Sequence, residues 1–276
     1  MKYMKANVIS LGPLGTNFFA WAQARERQVV RTGDLVKELK LSSKQERNLF
    51  YNLSSSGLIL KLWRGVYLVP EKIPPKGKWT PSPYLIINTY MNEFGAKFQV
   101  SGPVVFNSYG FSTQLAAEFF VYNDKVSKKV NLLQHRFFFV KVTADRLGDT
   151  KEFSPYQSGA MGKPIFSSLE RALFDAVYDY KKYGTLPEAY TWIENAIENR
   201  KASPKELARI TSAYGNTMSK KRIGWLFDKL GVEHRNYRSL LKEVPKNKFL
   251  VPLDPRNSNG PINKKWGVIE NVEIRP

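Results

Sequence analysis

The chain has 276 residues, of which 42% are hydrophobic and 13% aromatic, so it holds enough apolar side chains for one large core or two smaller ones. It contains no cysteine, which excludes disulfides and thiolate metal sites. Its formal net charge of +19 favours polyanions or acidic proteins as partners.

The basic residues are concentrated towards the two ends of the chain. Residues 1–80 hold 14 Lys and Arg against 5 Asp and Glu, and residues 200–276 hold 17 against 7. Residues 81–199 hold 12 of each. Solubility does not require this segregation, so we expect two separate surfaces that meet anionic partners.

Two further features indicate a cytoplasmic protein with no membrane partner. The N-terminal residues lack the sustained apolar core and cleavage site of a signal peptide. No apolar run approaches the length that spans a bilayer.

The first 40 residues predict two helices. Apolar side chains around Phe18 and Trp21 indicate a helix that ends near Gln28. After a short extended piece, Thr32 is expected to cap a second helix.

The stretch LSSKQERNLFYNLSSSG predicts a third helix with one apolar and one basic face. Ser42 is the expected N-cap, Gln45 completes a capping box, and Gly57 follows the C-cap. Three apolar residues share one side: Leu49, Phe50 and Leu53. The other side is expected to carry Lys44, Arg47, Asn48 and Tyr51.

The next segment, LILKLWRGVYLVP, predicts a β-hairpin that turns at Arg64-Gly65. Three helices followed by a hairpin are typical of a winged helix-turn-helix domain. We assign this domain to residues 1–80, with a Pro-rich and Lys-rich linker at about residues 70–83. Residues 81–276 are expected to form a larger mixed α/β domain, so the predicted fold class is α+β.

The sequence offers little support for an enzyme, a metal site or a cofactor. His135 and His234 are far apart and have no metal-ligand partner at helical spacing. Asp175 and Asp179 lie on one predicted helix face, where a solvated or salt-bridged pair is the preferred interpretation. A nuclease using Glu170 or Asp175 stays open as an alternative. We predict no catalytic residue, no metal and no cofactor.

A DNA-binding function has a concrete mechanism. A helix that exposes Arg, Lys, Gln and Asn side chains can enter the major groove, where Arg pairs with guanine, Gln or Asn with adenine, and Lys with phosphate. The hairpin tip would reach the backbone or a neighbouring minor groove, although Trp63 is expected to pack in the small domain's core. The predicted DNA-binding residues are Lys44, Gln45, Arg47, Asn48, Tyr51, Lys61 and Arg64.

A second basic surface is predicted near the C-terminus. The stretch MSKKRIGWLFDKLG carries cations ahead of an apolar stripe, so one helix is expected to be anchored while its first turn stays basic. A solvated face and a surface for an acidic partner are both consistent with this pattern. The residues concerned are Lys220, Lys221, Arg222 and Lys229.

Five segments, in order along the chain, resemble the AbiEi family of antitoxins from type IV toxin–antitoxin and abortive-infection systems. They are LWRGVYLVP, QVSGPVVFNSYGFSTQ, GKPIFSSLERALFDAV, KKRIGWLFDKLG and NKKWGVIEN. The first helix and residues 126–149 carry no such marker.

The resemblance implies a protein with two activities. The winged helix would bind inverted repeats in its own promoter and repress the operon. The C-terminal domain would counteract a nucleotidyltransferase toxin similar to AbiEii, directly or functionally. A stand-alone winged-helix regulator, whose second domain senses a ligand or oligomerises, is the main alternative, and a neighbouring nucleotidyltransferase gene would discriminate between the two.

Overall fold

The computed structural model describes residues 11–74, 78–113, 116–152, 164–245 and 249–273. These residues form an α+β fold that divides into two compact units. Of these described residues, those between 11 and 93 belong to the first unit, and the rest belong to the second. The first unit therefore extends past the predicted boundary at residue 80. None of the described helices is both long and apolar enough to cross a membrane.

The described residues of the first unit have the element order of a winged helix-turn-helix, followed by one further helix. The elements are α1 (Gly12–Ala24), β1 (Val29–Arg31), α2 (Asp34–Glu38), α3 (Ser43–Ser55), β2 (Leu60–Trp63), β3 (Val66–Leu68) and α4 (Pro83–Glu93). The strands form an antiparallel sheet in the order β1-β3-β2, with the β2–β3 hairpin as the wing.

Local capping chemistry explains where α3 begins and ends. The Ser42 hydroxyl accepts a hydrogen bond from the Gln45 amide at 3.2 Å, and the Gln45 side chain accepts from the Ser42 amide at 2.9 Å. The predicted capping box is therefore confirmed. At the other end Gly57 has φ +75°, the left-handed conformation that glycine adopts readily after a helix.

Two predicted helix boundaries were wrong. Helix α1 ends at Ala24 rather than near Gln28. The N-cap of α2 is Gly33, with φ +98°, rather than Thr32. The backbone N–H groups at this N-terminus are bonded by a side chain from α3, so a local cap from Thr32 is not used.

Aromatic contacts join the layers of the first unit. The Phe50 ring of α3 lies edge-on to Phe18 of α1, with ring centroids 6.1 Å apart, and stacks on Tyr67 of β3 at 4.3 Å. On the wing, Trp63 lies edge-on to Tyr90 of α4 at 4.9 Å. This contact and the ion pair between Arg31 of β1 and Glu93 join α4 to the first unit.

The described residues of the second unit begin with a mixed sheet and continue with a helical layer. The sheet and its associated helix are β4 (Phe98–Ser101), α5 (Pro103–Ser108), β5 (Glu118–Asn123), β6 (Lys128–Leu132), β7 (His135–Lys141), β8 (Thr150–Glu152) and β9 (Ile165–Ser167). The helices that follow are α6 (Leu169–Tyr178), α7 (Tyr180–Tyr183), α8 (Glu188–Glu198), α9 (Pro204–Tyr214), α10 (Thr217–Lys229) and α11 (Arg238–Glu243). Three short strands close the unit: β10 (Val251–Pro252), β11 (Ile262–Asn263) and β12 (Val268–Ile269).

The larger sheet has the order β6-β7-β5-β4-β9-β8. Strands β5 and β7 are parallel, as are β4 and β9, whereas the other neighbours are antiparallel. The aromatic runs FFV and FFFV predicted as strands form the central strands β5 and β7, where Phe119, Phe120, Phe137 and Phe139 are buried. The last three strands form a separate small sheet in the order β10-β12-β11.

Candidate functional site

Helix α3 presents a polar outer face. Its buried side is formed by Leu49, Phe50 and Leu53, as predicted. The opposite side is exposed and consists of Lys44, Gln45, Arg47, Asn48, Tyr51 and Asn52. Tyr51 is 72% exposed, the highest value among the large hydrophobic side chains that the structure describes. This face therefore offers cationic, amide and aromatic groups to a partner.

The acidic residue of α3, Glu46, is turned inward and is only 1% exposed. Its carboxylate accepts hydrogen bonds from the backbone N–H of Gly33 at 2.9 and 3.0 Å and of Leu35 at 3.0 Å. These N–H groups lie at the start of α2, where a helix carries partial positive charge. Glu46 therefore links α2 to α3, and α3 has no carboxylate on its outer face.

The hydroxyl of the neighbouring Tyr67 is affected by its own burial and by the charge of Glu46. Burial of the tyrosine raises the pKa of its hydroxyl, and the negative charge of Glu46 raises it further. Tyr67 therefore stays neutral at physiological pH and acts as a packing residue beneath α3.

The cations of α3 and the wing have no acidic partners among the described residues. Lys44, Lys61 and Arg64 are exposed and form no ion pair there. The Arg47 guanidinium bonds only to the Ser43 carbonyl oxygen, at 3.3 Å. Elsewhere in the same unit Arg25 pairs with Glu38 at 3.8 Å. The positive charge of α3 and the wing is therefore available to an external anion.

Gln45 is placed differently from the other predicted DNA-binding residues. Its side-chain oxygen accepts from both the amide and the hydroxyl of Ser42, each at 2.9 Å. The oxygen is thus occupied by the cap, and the side-chain N–H₂ group is the part left to contact a partner.

The tip of the wing lies at the predicted turn, Arg64-Gly65. Gly65 has φ +81°, and its carbonyl oxygen accepts a hydrogen bond from Thr32 at 2.9 Å, which ties the tip to the segment before α2. Arg64 projects from this turn and is exposed. Trp63 was predicted to pack in the core of the small domain; it is instead half-buried and lies against Tyr90 of α4, outside the core cluster that holds Phe18 and Phe50.

The predicted C-terminal basic surface is contradicted by the structure. Lys221 is 1% exposed and Arg222 is 2% exposed. Lys221 donates to the Phe249 carbonyl oxygen at 2.5 Å, and its burial lowers the pKa of its ammonium group. Arg222 donates to the Pro252 carbonyl oxygen at 3.0 and 3.3 Å and lies over the Tyr180 ring.

The reason is that α10 is packed on more than one side. The segments around Phe249 and Pro252 lie against it, so side chains near its start face protein instead of water. Lys220 pairs with Glu243 at 2.6 Å. Lys229 is 51% exposed, with Glu270 at 3.9 Å. Lys220, Lys221 and Arg222 are therefore engaged within the fold, and the four cations do not form a common basic surface.

The carboxylates considered for a nuclease are used inside the second unit. Asp175 is fully buried, pairs with Arg171 at 2.9 Å, and accepts from the hydroxyls of Ser101 at 2.8 Å and Ser167 at 3.2 Å. For Asp175 and Asp179 the sequence left a solvated and a salt-bridged arrangement open; Asp175 is salt-bridged and not solvated.

The carboxylates of Asp179 and Glu170 also accept hydrogen bonds within the second unit. Asp179 is 7% exposed and accepts from Tyr122 and Lys182. Glu170 accepts from the Ser203 amide at 3.0 Å, just ahead of α9. Within the described ranges, no group of three or more His, Asp or Glu side chains is arranged to hold a metal ion.

The sequence interpretation missed the inward position of Glu46 and the complete burial of the Arg171–Asp175 pair. A signal for Glu46 was present, because residues 46, 49, 50 and 53 form a single helical stripe and Glu46 continues the line of Leu49 and Phe50. The i, i+4 spacing of Arg171 and Asp175 signals an ion pair but not its burial.

Comparison with known proteins supports the fold alone. No family model matches the sequence, and no curated protein matches it either. The structure is similar to the crystal structure of the RV2827C protein from Mycobacterium tuberculosis, with a TM-score of 0.64 and 12% sequence identity. The match covers 97% of this chain and 94% of that chain. At this identity the likeness carries no information about function.

Proposed function

We propose that this chain is a sequence-specific binder of duplex DNA that acts through its N-terminal winged helix. The observation that carries the proposal is the outer face of α3, where exposed Lys, Arg, Asn and Tyr side chains stand together while Glu46 is turned into the core. A helix of α3's length can lie in the major groove with side chains directed at base edges.

The side chains have distinct parts in this proposal. Arg47 and Asn48 are suited to read guanine and adenine, because their donor and acceptor groups match those bases in the major groove. Lys44 contacts a phosphate. On the wing, Lys61 and Arg64 contact the backbone beside the groove, which fixes the register of α3 without reading sequence.

We further propose that the protein is the antitoxin of a type IV toxin–antitoxin system and represses its own operon in the cytoplasm. This part rests on the five segments that resemble the AbiEi family. The DNA would be inverted repeats upstream of its own gene, and the second unit would counteract a nucleotidyltransferase toxin, directly or functionally. Lys221 and Arg222 are buried, so they are not contacts to that toxin.

DNA binding is tested by fluorescence anisotropy with the protein's own upstream DNA and a scrambled duplex of equal length. The proposal requires tighter binding to the upstream DNA. Equal affinity for both duplexes would reduce the winged helix to a non-specific binder and contradict the proposed repression.

The antitoxin activity is tested by co-expression with any nucleotidyltransferase encoded beside the gene. Restored growth supports the proposal, and restoration by a chain carrying Lys44→Ala and Arg47→Ala would assign neutralisation to a part outside α3. If growth is not restored while the upstream DNA is bound, the protein is a stand-alone regulator.

A further inference from the structure

Four lysines come together at one end of the larger sheet, although they are spread over 45 residues of a segment with balanced charge. They are Lys97, Lys125, Lys128 and Lys141, which we name the basic corner. Lys97 precedes β4, Lys125 lies in the β5–β6 turn, Lys128 begins β6, and Lys141 ends β7.

Hydrogen bonds between the segments show that the four positions are neighbours. The Asp124 amide donates to the Lys97 carbonyl oxygen at 3.2 Å, and the Lys141 amide donates to the Ser127 hydroxyl at 3.1 Å. The register pairs Phe98 with Asn123 and Asn123 with Lys141. The corner thus runs across four adjacent strands, a width of about 14 Å at ordinary strand spacing.

The turn that carries Lys125 is held by a buried side chain. Asn123 is fully buried, and its side-chain oxygen accepts from the amides of Lys125 at 3.0 Å and Val126 at 2.7 Å. Its amide nitrogen donates to the Val126 carbonyl oxygen at 3.0 Å. The backbone of the turn that carries Lys125 is therefore fixed by these hydrogen bonds.

The charge of the corner is only partly compensated within its own segments. All four lysines are exposed. The carboxylate among residues 97–98, 123–128 and 139–142 is Asp124, which accepts from the Lys97 amide at 2.9 Å and lies 3.8 Å from the Lys125 ammonium. The ammonium groups of Lys97 and Lys141 form no ion pair among the described residues, so positive charge beyond that offset by Asp124 faces solvent.

The chemistry of the corner fits a phosphate backbone better than a protein partner. Lysine is depleted in the cores of protein–protein interfaces, where aromatic and arginine side chains dominate. The segments of the corner expose no large apolar side chain. A row of separated ammonium groups matches a chain of phosphates, which lysine binds as a point charge.

We propose that the basic corner is a second nucleic-acid contact, which binds the phosphodiester backbone without reading sequence. It lies in the second unit and goes beyond the proposed function, which places sequence reading in α3 of the first.

The test compares three full-length proteins with wild type on a random-sequence DNA duplex over a range of salt concentrations. The corner variant changes all four lysines to Gln, and a charge-keeping variant changes them to Arg. The matched control removes the same charge by changing four exposed lysines elsewhere in the second unit to Gln: Lys201, Lys205, Lys242 and Lys264. Circular dichroism checks that each variant folds, and polyglutamate serves as the probe for an acidic protein partner.

The corner variant should bind DNA about tenfold or more weakly at low salt, with the slope of log affinity against log salt reduced by roughly 3–4. The Arg variant and the control should resemble wild type. Equal losses in the corner variant and the control would overturn the proposal, because net charge alone would then explain both. An unchanged slope in the corner variant, or loss of polyglutamate binding alone, would also overturn it.

The outcome is independent of the winged-helix proposal. If the slope falls in the corner variant while preference for the upstream DNA is kept, both stand. If wild type shows no such preference but the corner still sets the slope, the winged-helix proposal fails and the basic corner remains.

Discussion

At the scale of single residues, the orientation of one side chain decides whether α3 can approach an anion. An exposed carboxylate at position 46 would lie next to the cations of the outer face and oppose binding. Its actual place, bonded to the amides of Gly33 and Leu35, removes that charge from the surface and uses it to hold α2. The same residue thus serves stability and charge separation.

Changing Arg47→Ala should weaken binding to the upstream DNA by about 1–3 kcal/mol, because a base-reading arginine loses both of its hydrogen bonds. Discrimination at the contacted base should relax as well. Competition assays with single-base variants of the upstream DNA measure both effects. Arg27→Ala, which removes an exposed cation outside α3 and the wing, is the matched control and should change affinity less. Equal losses for the two variants would remove Arg47 from the interface.

Changing Glu46→Gln should lower the free energy of unfolding by about 1–3 kcal/mol, because an amide N–H₂ group would then face backbone N–H donors in a buried site. Urea unfolding followed by tryptophan fluorescence measures the loss. Glu38→Gln, at a more exposed carboxylate of the same unit, is the control and should stay within about 0.5 kcal/mol of wild type. A Glu46→Gln protein as stable as wild type would show that the three hydrogen bonds contribute little.

At the scale of elements, α10 shows how distant segments redefine a helix. Its sequence places cations before an apolar stripe, which is typical of a helix with one solvent-exposed face. In the structure Lys221 and Arg222 donate to carbonyl groups near residues 249 and 252, and Trp266 packs over Gly224. The small C-terminal sheet is thereby attached to the helical layer.

Changing Gly224→Ala tests this attachment because its two effects have opposite signs. In a free helix, alanine would stabilise by about 1 kcal/mol. Here the added methyl group would lie 2.2 Å from the Trp266 ring, so the ring must shift. We expect a net loss of about 1–3 kcal/mol from overpacking, measured by thermal unfolding. A rise in stability would mean that Trp266 does not pack on α10.

The same attachment should make the second unit sensitive to acid. Burial alone would raise the pKa of Asp228, but hydrogen bonds from Lys265, Tyr237 and Trp266 outweigh it and hold the pKa below its ordinary value of 3.8. The resulting stability is fully present above pH 3.8 and is lost as the pH falls through the lower folded pKa. Acid unfolding of Asp228→Asn should show a flatter pH dependence in that range; an unchanged profile would contradict this role.

Much of the first unit could be predicted from sequence because its signals are local. The capping box at Ser42, the apolar stripe of α3 and the turn at Arg64-Gly65 are each set by residues within a few positions of one another. The extent of the unit was not predictable in this way. It involves contacts between residues far apart in the chain, Trp63 with Tyr90 and Arg31 with Glu93, which no local pattern encodes.

The second unit was less predictable because its polar side chains act over long separations. Arg222 meets Pro252, and Asp175 meets Ser101, through a fold whose strand order does not follow the chain. A helical window shows the type and spacing of these residues but not whether another segment covers them. The buried cations of α10 were therefore misinterpreted as surface, and the basic corner, assembled from four segments, was not seen.

At the scale of the whole molecule, the net charge counted from the sequence of a segment differs from the charge that the segment exposes to solvent. Residues 200–276 carry the largest basic excess, yet several of those cations are buried or paired within the fold. The segment with balanced charge gathers an exposed group of lysines at one sheet end. In the first unit, by contrast, the cations of α3 and the wing stay exposed and without acidic partners among the described residues. We therefore propose the first unit as the site of sequence-specific binding.

The most direct test of that assignment is the salt dependence of binding to the upstream DNA and to a scrambled duplex. Wild type is compared with a full-length variant that carries Lys44→Ala, Arg47→Ala and Arg64→Ala. We predict that wild type prefers the upstream DNA at every salt concentration and that the variant loses this preference, with a slope shallower by roughly 2–3. A variant that keeps the preference of wild type would contradict the assignment of DNA recognition to α3 and the wing.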